Sequence, residues 1–129
     1  MKRKQARIPT PRESDEQETL MEWADMESGA RPELALLFHI PNGGSRNEIE
    51  ALHLRRQGVK PGVPDLCLPV ARGGCHGLYI ELKRREGGRV RANQSAWLIA
   101  LRAQGYATAV CRGWDEARET ILHYLEGRP

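Results

Sequence analysis

Three charged residues occupy two short apolar runs in the middle of the chain. Asp65 begins the run DLCLPV, and Glu81 and Lys83 flank Leu82 in the run LYIELKR. Because side chains alternate between the two faces of a strand, Glu81 and Lys83 point to the same side. The turn-forming segment ARGGCHG between the runs predicts an antiparallel hairpin, which places Asp65 beside Glu81. Two carboxylates and an ammonium group would then meet at one edge of a sheet.

This set of groups suits the metal-assisted hydrolysis of a phosphodiester. Carboxylate oxygens are ligands that Mg²⁺ accepts, together with several waters. A cation held there can polarise the phosphoryl group and activate water. The lysine can orient that water or stabilise negative charge on the phosphorus oxygens. The alternative is a set of salt bridges on an exposed strand face, and Glu-x-Lys alone does not exclude it.

The distribution of charge indicates a polyanionic partner more clearly than the net charge of +3 does. Residues 1–12 contain five basic residues and no acidic one, residues 13–27 are acidic, and residues 83–91 are basic again. Basic segments on both sides of a carboxylate-rich patch suit a polyanion held beside a cation. Ordinary solvated charge is the alternative. We expect residues 1–12 to form a disordered basic arm and residues 13–129 to form one domain.

Other features of the composition exclude several classes of protein. No apolar run reaches the roughly 20 residues that a membrane span requires, and no signal-peptide pattern is present. We therefore expect a cytoplasmic protein with no membrane partner. Cys67, Cys75 and Cys111 have neither disulfide nor zinc-site spacing, and we expect Cys67 and Cys111 to be buried thiols.

The pattern of apolar and turn-forming residues predicts a mixed α/β domain with a small central sheet. We expect helices over residues 15–28, 45–58, 92–104 and 114–127, and strands over residues 65–70, 78–84 and 105–113. Residues 34–40 are predicted to form a short helix that leads into a strand. The predicted helix caps are Ser14, then Ser45 or Asn47, then Asn93. In the second helix, Ile49, Leu52 and Leu54 are expected to face the core.

The stretch from Gly58 to Gly113 resembles the VRR-NUC nucleases, a branch of the PD-(D/E)xK superfamily. The motif in this sequence is Pro64-Asp65 followed by Glu81-Leu82-Lys83. The segment HIPNGG at 39–44 and the acidic helix near 13–18 also fit, so the resemblance extends from residue 13 to about 125. Single residues that agree with the family in order and spacing are Gly62, Gln94, Trp97, Gly105 and Tyr106.

This resemblance implies an α/β restriction-endonuclease-like fold with an αβββαβ core and a Mg²⁺ site, in which Mn²⁺ can substitute. The implied ligands are Asp65, Glu81 and the backbone carbonyl of Leu82. Lys83 would be the catalytic lysine, and Gln94 would support the site from the neighbouring helix. A further acidic residue on the first helix would complete the site, and both Glu13 and Glu16 fit that role.

Several basic and turn residues are expected to contact DNA. A glycine turn can offer backbone N–H groups to a phosphate, and arginines or lysines can line the path of the strand. The residues that we expect to bind DNA are Asn42, Gly43, Gly44, Arg46, Arg55, Arg56, Lys60, Arg84, Arg85 and Arg89.

The predicted activity is that of a metal-dependent DNA endonuclease. The chain resembles the small stand-alone VRR-NUC domains that act as homodimers on branched DNA, so the resemblance implies selectivity for structures such as Holliday junctions. A two-fold protein can place two sites on the symmetric strands of such a junction. One alternative is a flap, nick or single-strand nuclease that acts with a partner. Another is a non-catalytic DNA-binding module.

Overall fold

The computed structural model describes residues 11–41 and 47–127. The predicted elements are all present, with bounds that differ by a few residues. A 3-10 helix at Pro32–Leu36 precedes the first strand. The helices are α1 (Glu13–Glu27), α2 (Glu48–Arg56), α3 (Ala92–Ala103) and α4 (Trp114–Leu125), and the strands are β1 (Phe38–His39), β2 (Leu66–Leu68), β3 (Leu78–Lys83) and β4 (Ala107–Arg112).

The four strands form one mixed sheet in the order β1-β2-β3-β4. The pairs β1–β2 and β2–β3 are antiparallel, whereas β4 runs parallel to β3. Helix α3 makes the crossover that a parallel pair requires. This is the mixed α/β sheet with flanking helices that the sequence predicts.

One face of the sheet carries most of the hydrophobic core. Leu66 of β2 and both Ile80 and Leu82 of β3 are almost fully buried on this face, against Leu20 of α1 and Ile121 of α4. Each fully buried aliphatic side chain contributes about 1.5–3 kcal/mol relative to exposure. Because side chains alternate along a strand, the residues between these positions point to the opposite face, where the charged residues lie.

Two helices begin at residues other than the predicted caps. The first residue of α1 is Glu13, and Arg12 donates its N–H to the Asp15 carboxylate at 3.1 Å, so Ser14 lies inside the helix. Helix α3 is capped in the same way, with the N–H of Arg91 donating to Gln94 rather than Asn93 forming the cap. In both cases an acceptor three residues into the helix satisfies the N–H that precedes it.

Helix α2 differs from its prediction in its packing. The Asn47 side chain accepts the N–H of Ile49 at 2.9 Å, which confirms this cap, whereas Ser45 lies outside the described residues. The expected inner face is wrong, because no residue of α2 is buried and Ile49 and Leu52 are 69% and 42% exposed. Leu54 is only half-buried.

The sequence also gave predictions for the N-terminal segment, the cysteines and membrane-spanning helices. Residues 1–10 of the predicted arm lie outside the described residues, and Arg12 is the N-cap residue of α1. Cys67 and Cys111 are buried free thiols, as predicted. No helix within the described residues has the length and hydropathy needed to cross a membrane.

Candidate active site

The β2–β3 hairpin brings the two carboxylates together. Its register pairs Leu66 with Ile80, so the next pair along the hairpin is Asp65 with Glu81. The Oδ2 atom of Asp65 accepts the N–H of Leu82 at 2.7 Å, which fixes the carboxylate against β3. Asp65 and Glu81 are 8% and 2% exposed, so both acids are removed from bulk water.

A hydrogen-bonded network joins Glu81 to Lys83 and to Gln94 at the start of α3. The Nε2 group of Gln94 donates to Glu81 Oε1 at 3.0 Å, and Lys83 Nζ donates to Gln94 Oε1 at 3.0 Å. Lys83 Nζ also lies 3.4 Å from Glu81 Oε1, and both side chains are almost fully buried. The predicted residues Glu81, Lys83 and Gln94 therefore form one constellation.

The electrostatics of this site favour uptake of a positive charge. Burial, followed by the negative charge of Asp65, raises the pKa of Glu81 to about 7, although Lys83 acts in the opposite direction. Burial also raises the pKa of Asp65, while the hydrogen bond from the Leu82 N–H lowers it. Two desolvated carboxylates of like charge bind either a proton or a cation more strongly than isolated ones do.

The donor atoms fit a hard divalent cation. Glu81 Oε2 is buried and accepts no hydrogen bond from the described residues. Extending the hairpin register places Pro64 opposite Leu82, and a proline has no N–H to donate to the Leu82 carbonyl. Within residues 11–41 and 47–127 no group of three or more His, Cys, Asp or Glu side chains could hold a metal. Two carboxylates and one backbone carbonyl are oxygen ligands of the kind that Mg²⁺ accepts beside several waters.

The two candidate acids on α1 have different surroundings. Glu16 is buried, and its carboxylate accepts hydrogen bonds from Arg85 at 2.9 Å and from the N–H of Trp114 at 2.5 Å. Its oxygens are therefore committed to an ion pair with Arg85, which follows β3, and to a hydrogen bond that ties α1 to α4. Glu13 lines a cleft with Lys83 and Gln94, beside the carboxylate pair. The geometry favours Glu13 as the acid of the first helix.

The segment between β3 and α3, residues 84–91, forms the other wall of this cleft, and we call it the basic loop. Gly88, Arg89 and Arg91 of this loop line the cleft together with Lys83. The guanidinium of Arg112, at the end of β4, donates to the carbonyl oxygens of the loop, including that of Gly87 at 2.6 Å. The loop thus has a defined position beside the carboxylates.

The residues predicted to contact DNA are distributed over several surfaces. Arg55 and Arg56 at the end of α2, and Lys60 after it, are exposed. Arg84, Arg85 and Arg89 lie in the basic loop, but Arg85 pairs with Glu16 and with Asp115. Their contacts with DNA stay predictions. Four further predicted residues lie outside the described part of the chain: Asn42, Gly43, Gly44 and Arg46.

His39 of β1 lies next to the site, and one of its two ring nitrogens contacts the backbone of Asp65. Its Nδ1 atom is 2.8 Å from the carbonyl oxygen of Asp65, and the N–H of Ile40 donates to the same oxygen at 2.7 Å. These contacts hold the Asp65 backbone to β1, so local packing is one role of this histidine.

Sequence reasoning missed Arg91 and Arg112. Arg91 belongs to the basic segment 83–91, and that segment was the available signal. Arg112 had no local signal, because its position depends on the parallel pairing of β4 with β3, which aligns it with Lys83.

Comparison with known proteins agrees with the motifs. The family model of the VRR-NUC domain matches residues 3–115. A solved structure described as a VRR_NUC domain protein has a TM-score of 0.80 and 30% sequence identity, and the match covers 93% of each chain. Comparison with curated proteins gives no match.

Proposed function

The chain belongs to the VRR-NUC family of nuclease domains, and from that premise we propose that it is a metal-dependent DNA endonuclease. The observation that carries the proposal is the buried carboxylate pair Asp65 and Glu81, with one unpaired Glu81 oxygen. Lys83 lies within 3.4 Å of Glu81 in the same site. The proposed reaction is hydrolysis of a phosphodiester bond.

The proposed cofactor is Mg²⁺, with Mn²⁺ as a substitute. Asp65, Glu81 and the Leu82 carbonyl would hold it, with Glu13 as the nearby acid of the first helix. When bound, the cation would supply charge to polarise the phosphodiester and activate water. The raised pKa of Glu81 supports this assignment, because neutralising the pair by a cation relieves the repulsion between its members.

Lys83 would act on the substrate, and Gln94 would hold it in position. Gln94 accepts from Lys83 and donates to Glu81, so it holds the ammonium and the carboxylate in a fixed relation. The ammonium can then stabilise negative charge that develops on the phosphorus oxygens. Because the network is preorganised, the chain does not have to rearrange when the charge develops.

The proposed substrate is branched DNA, cut by a homodimer. A protein with two-fold symmetry can present two equivalent sites to the symmetric strands of a four-way junction. Phe38 on β1, which is 46% exposed, and Ile49 on α2, which is 69% exposed, are apolar side chains that such an interface would be able to cover. A domain of this size also has little surface with which to read a base sequence.

A cleavage assay tests the proposal. A labelled four-way junction, a flap and a matched linear duplex are incubated with Mg²⁺, Mn²⁺ or EDTA, using wild-type protein and the Asp65→Asn variant. Paired symmetric nicks in the junction alone, abolished by EDTA and by Asp65→Asn, are expected. Cutting of the flap or linear DNA would support the nuclease function but contradict the proposed junction substrate. Intact binding without any cleavage would favour a non-catalytic DNA-binding module.

The mass in solution tests the proposed dimer separately. Size-exclusion chromatography with light scattering is expected to give twice the chain mass of 14.6 kDa. A monomer that still cuts junctions would contradict the two-site arrangement.

A further inference from the structure

Arg112 occupies an unusual position for a basic residue. The parallel pairing of β3 and β4 aligns it with Lys83, so both side chains extend from the same face of the sheet. Two cations side by side repel each other unless their charges are compensated. The guanidinium of Arg112 donates to three backbone carbonyls of the basic loop: those of Arg84 at 3.2 Å, Gly87 at 2.6 Å and Gly88 at 3.1 Å.

These three hydrogen bonds define the shape of the basic loop. Gly87 and Gly88 have φ values of 73° and 68°, a left-handed conformation that residues with a side chain rarely adopt. Two consecutive carbonyls can then bind one planar guanidinium, whose donors have a fixed spacing. At the other end of the loop, the N–H of Arg91 donates to Gln94 at 2.8 Å. The loop is therefore fixed at both ends by side chains.

The basic loop presents unpaired charge to the cleft beside the carboxylates. Arg89 and Arg91 line this cleft with Lys83 and Glu13. Arg89 and Arg91 are exposed and form no ion pair with the described residues, in contrast to Arg85, which pairs with two acids. Two exposed guanidinium groups next to a predicted cleavage site suit the phosphates of a bound strand.

We propose that Arg112 is a positioning residue that fixes the basic loop so that Arg89 and Arg91 clamp a DNA phosphate beside the one that is cut. This inference rests on the proposed nuclease function. It assigns Arg112 no contact with DNA, because both terminal nitrogens of its guanidinium donate to the loop carbonyls. Substitution of Arg112 should weaken DNA binding only because it displaces Arg89 and Arg91.

Salt dependence of DNA binding separates this role from a direct contact. Dissociation constants are measured without metal from 50 to 300 mM salt for wild type, Arg112→Ala, Arg112→Lys and the Arg89→Ala/Arg91→Ala double variant. One lost phosphate contact reduces the magnitude of the negative slope of log K against log salt by about one. We expect Arg112→Ala to lower the slope by about two, as the double variant does, and to weaken binding about tenfold at 100 mM salt.

The lysine variant tests geometry against charge. Arg112→Lys keeps the net charge but cannot span three carbonyls, so we expect it to weaken binding at least about fivefold. Wild-type binding by Arg112→Lys, or a slope change of only one in Arg112→Ala, would overturn the positioning role. The matched control is Arg102→Ala, which removes one exposed charge whose guanidinium donates within its own helix. We expect this control to bind within about twofold of wild type.

A double-mutant cycle and steady-state kinetics complete the test. If Arg112 acts through the clamp, adding Arg112→Ala to the Arg89/Arg91 double variant changes affinity by less than about twofold. In cleavage, we expect Arg112→Ala to raise KM about tenfold and change kcat less than about threefold, because the clamp binds ground and transition states alike. Additive effects would refute the clamp. If wild type neither binds nor cuts DNA, the proposed function itself fails; normal cleavage by the Arg112 variants refutes only the clamp.

Discussion

Replacing Glu81 by glutamine should stabilise the metal-free protein at alkaline pH. In the folded state the pKa of Glu81 is raised from 4.5 to about 7 by burial and by Asp65. A raised carboxyl pKa means that the ionised form is less stable in the folded state than in the unfolded one. The contribution of protonated Glu81 to the free energy of unfolding is therefore fully present below pH 4.5 and is lost as the pH rises through about 7.

The size of the effect follows from this shift. A difference of about 2.5 pKa units corresponds to about 3 kcal/mol once Glu81 is ionised in both states. The side chain is only 2% exposed, so water does not screen this penalty appreciably. Glutamine has nearly the same shape, can still accept from Gln94 and carries no charge. We therefore expect Glu81→Gln to raise the free energy of unfolding by about 1–3 kcal/mol at pH 8, and by less than about 1 kcal/mol at pH 5.

Urea unfolding in EDTA at pH 5 and pH 8 measures this difference for wild type and Glu81→Gln. Glu22→Gln, on the exposed side of α1, is the matched control and should change stability by less than about 0.5 kcal/mol at either pH. Mg²⁺ at about 100 times its dissociation constant should add about 2.7 kcal/mol to wild type and far less to Glu81→Gln. A Glu81→Gln variant that is less stable than wild type at pH 8 would refute the reasoning.

Three further predictions follow from the site. Glu16→Gln should lower the free energy of unfolding by about 2 kcal/mol, because its new N–H₂ group faces donors from Arg85 and Trp114, and should leave the cleavage rate within about threefold of wild type. Glu13→Gln should instead slow cleavage and leave the free energy of unfolding nearly unchanged. A Glu16→Gln variant that folds stably without cutting would contradict this assignment. Lys83→Ala should slow single-turnover cleavage about 10²-fold while the protein still binds Mn²⁺, and an unchanged rate would remove its catalytic role. Since a proton competes with the cation at Glu81, the apparent Mg²⁺ affinity should fall up to about tenfold per pH unit below 7, and a flat titration by calorimetry would disagree.

The central constellation was predictable because it depends on local rules. Strand alternation placed Glu81 and Lys83 on one face, and the turn between the two apolar runs implied the antiparallel register that aligns Asp65 with Glu81. The same patterns predicted a small central sheet flanked by helices, but not the parallel pairing of β4 with β3. The caps of α1 and α3 were missed because their acceptors, Asp15 and Gln94, lie inside the helices.

Other features depend on contacts between distant parts of the chain. The spacing of Ile49 and Leu52 predicted a buried face for α2, but both side chains are exposed. The choice between Glu13 and Glu16 depends on Arg85, which is 69 residues from Glu16 in the sequence. Arg112 reaches the basic loop only because β4 pairs in parallel with β3. No local pattern encodes these pairings.

Direct titration with Mn²⁺, followed by electron paramagnetic resonance of the unbound ion, tests most directly whether Asp65 and Glu81 hold a cation. The titration compares wild type with Asp65→Asn, Glu81→Gln and the control Glu22→Gln, all in the absence of DNA. We predict that wild type and Glu22→Gln bind Mn²⁺ with equal affinity, whereas the two site variants bind at least about tenfold more weakly. Equal Mn²⁺ affinity in all four proteins would contradict the assignment of the metal site.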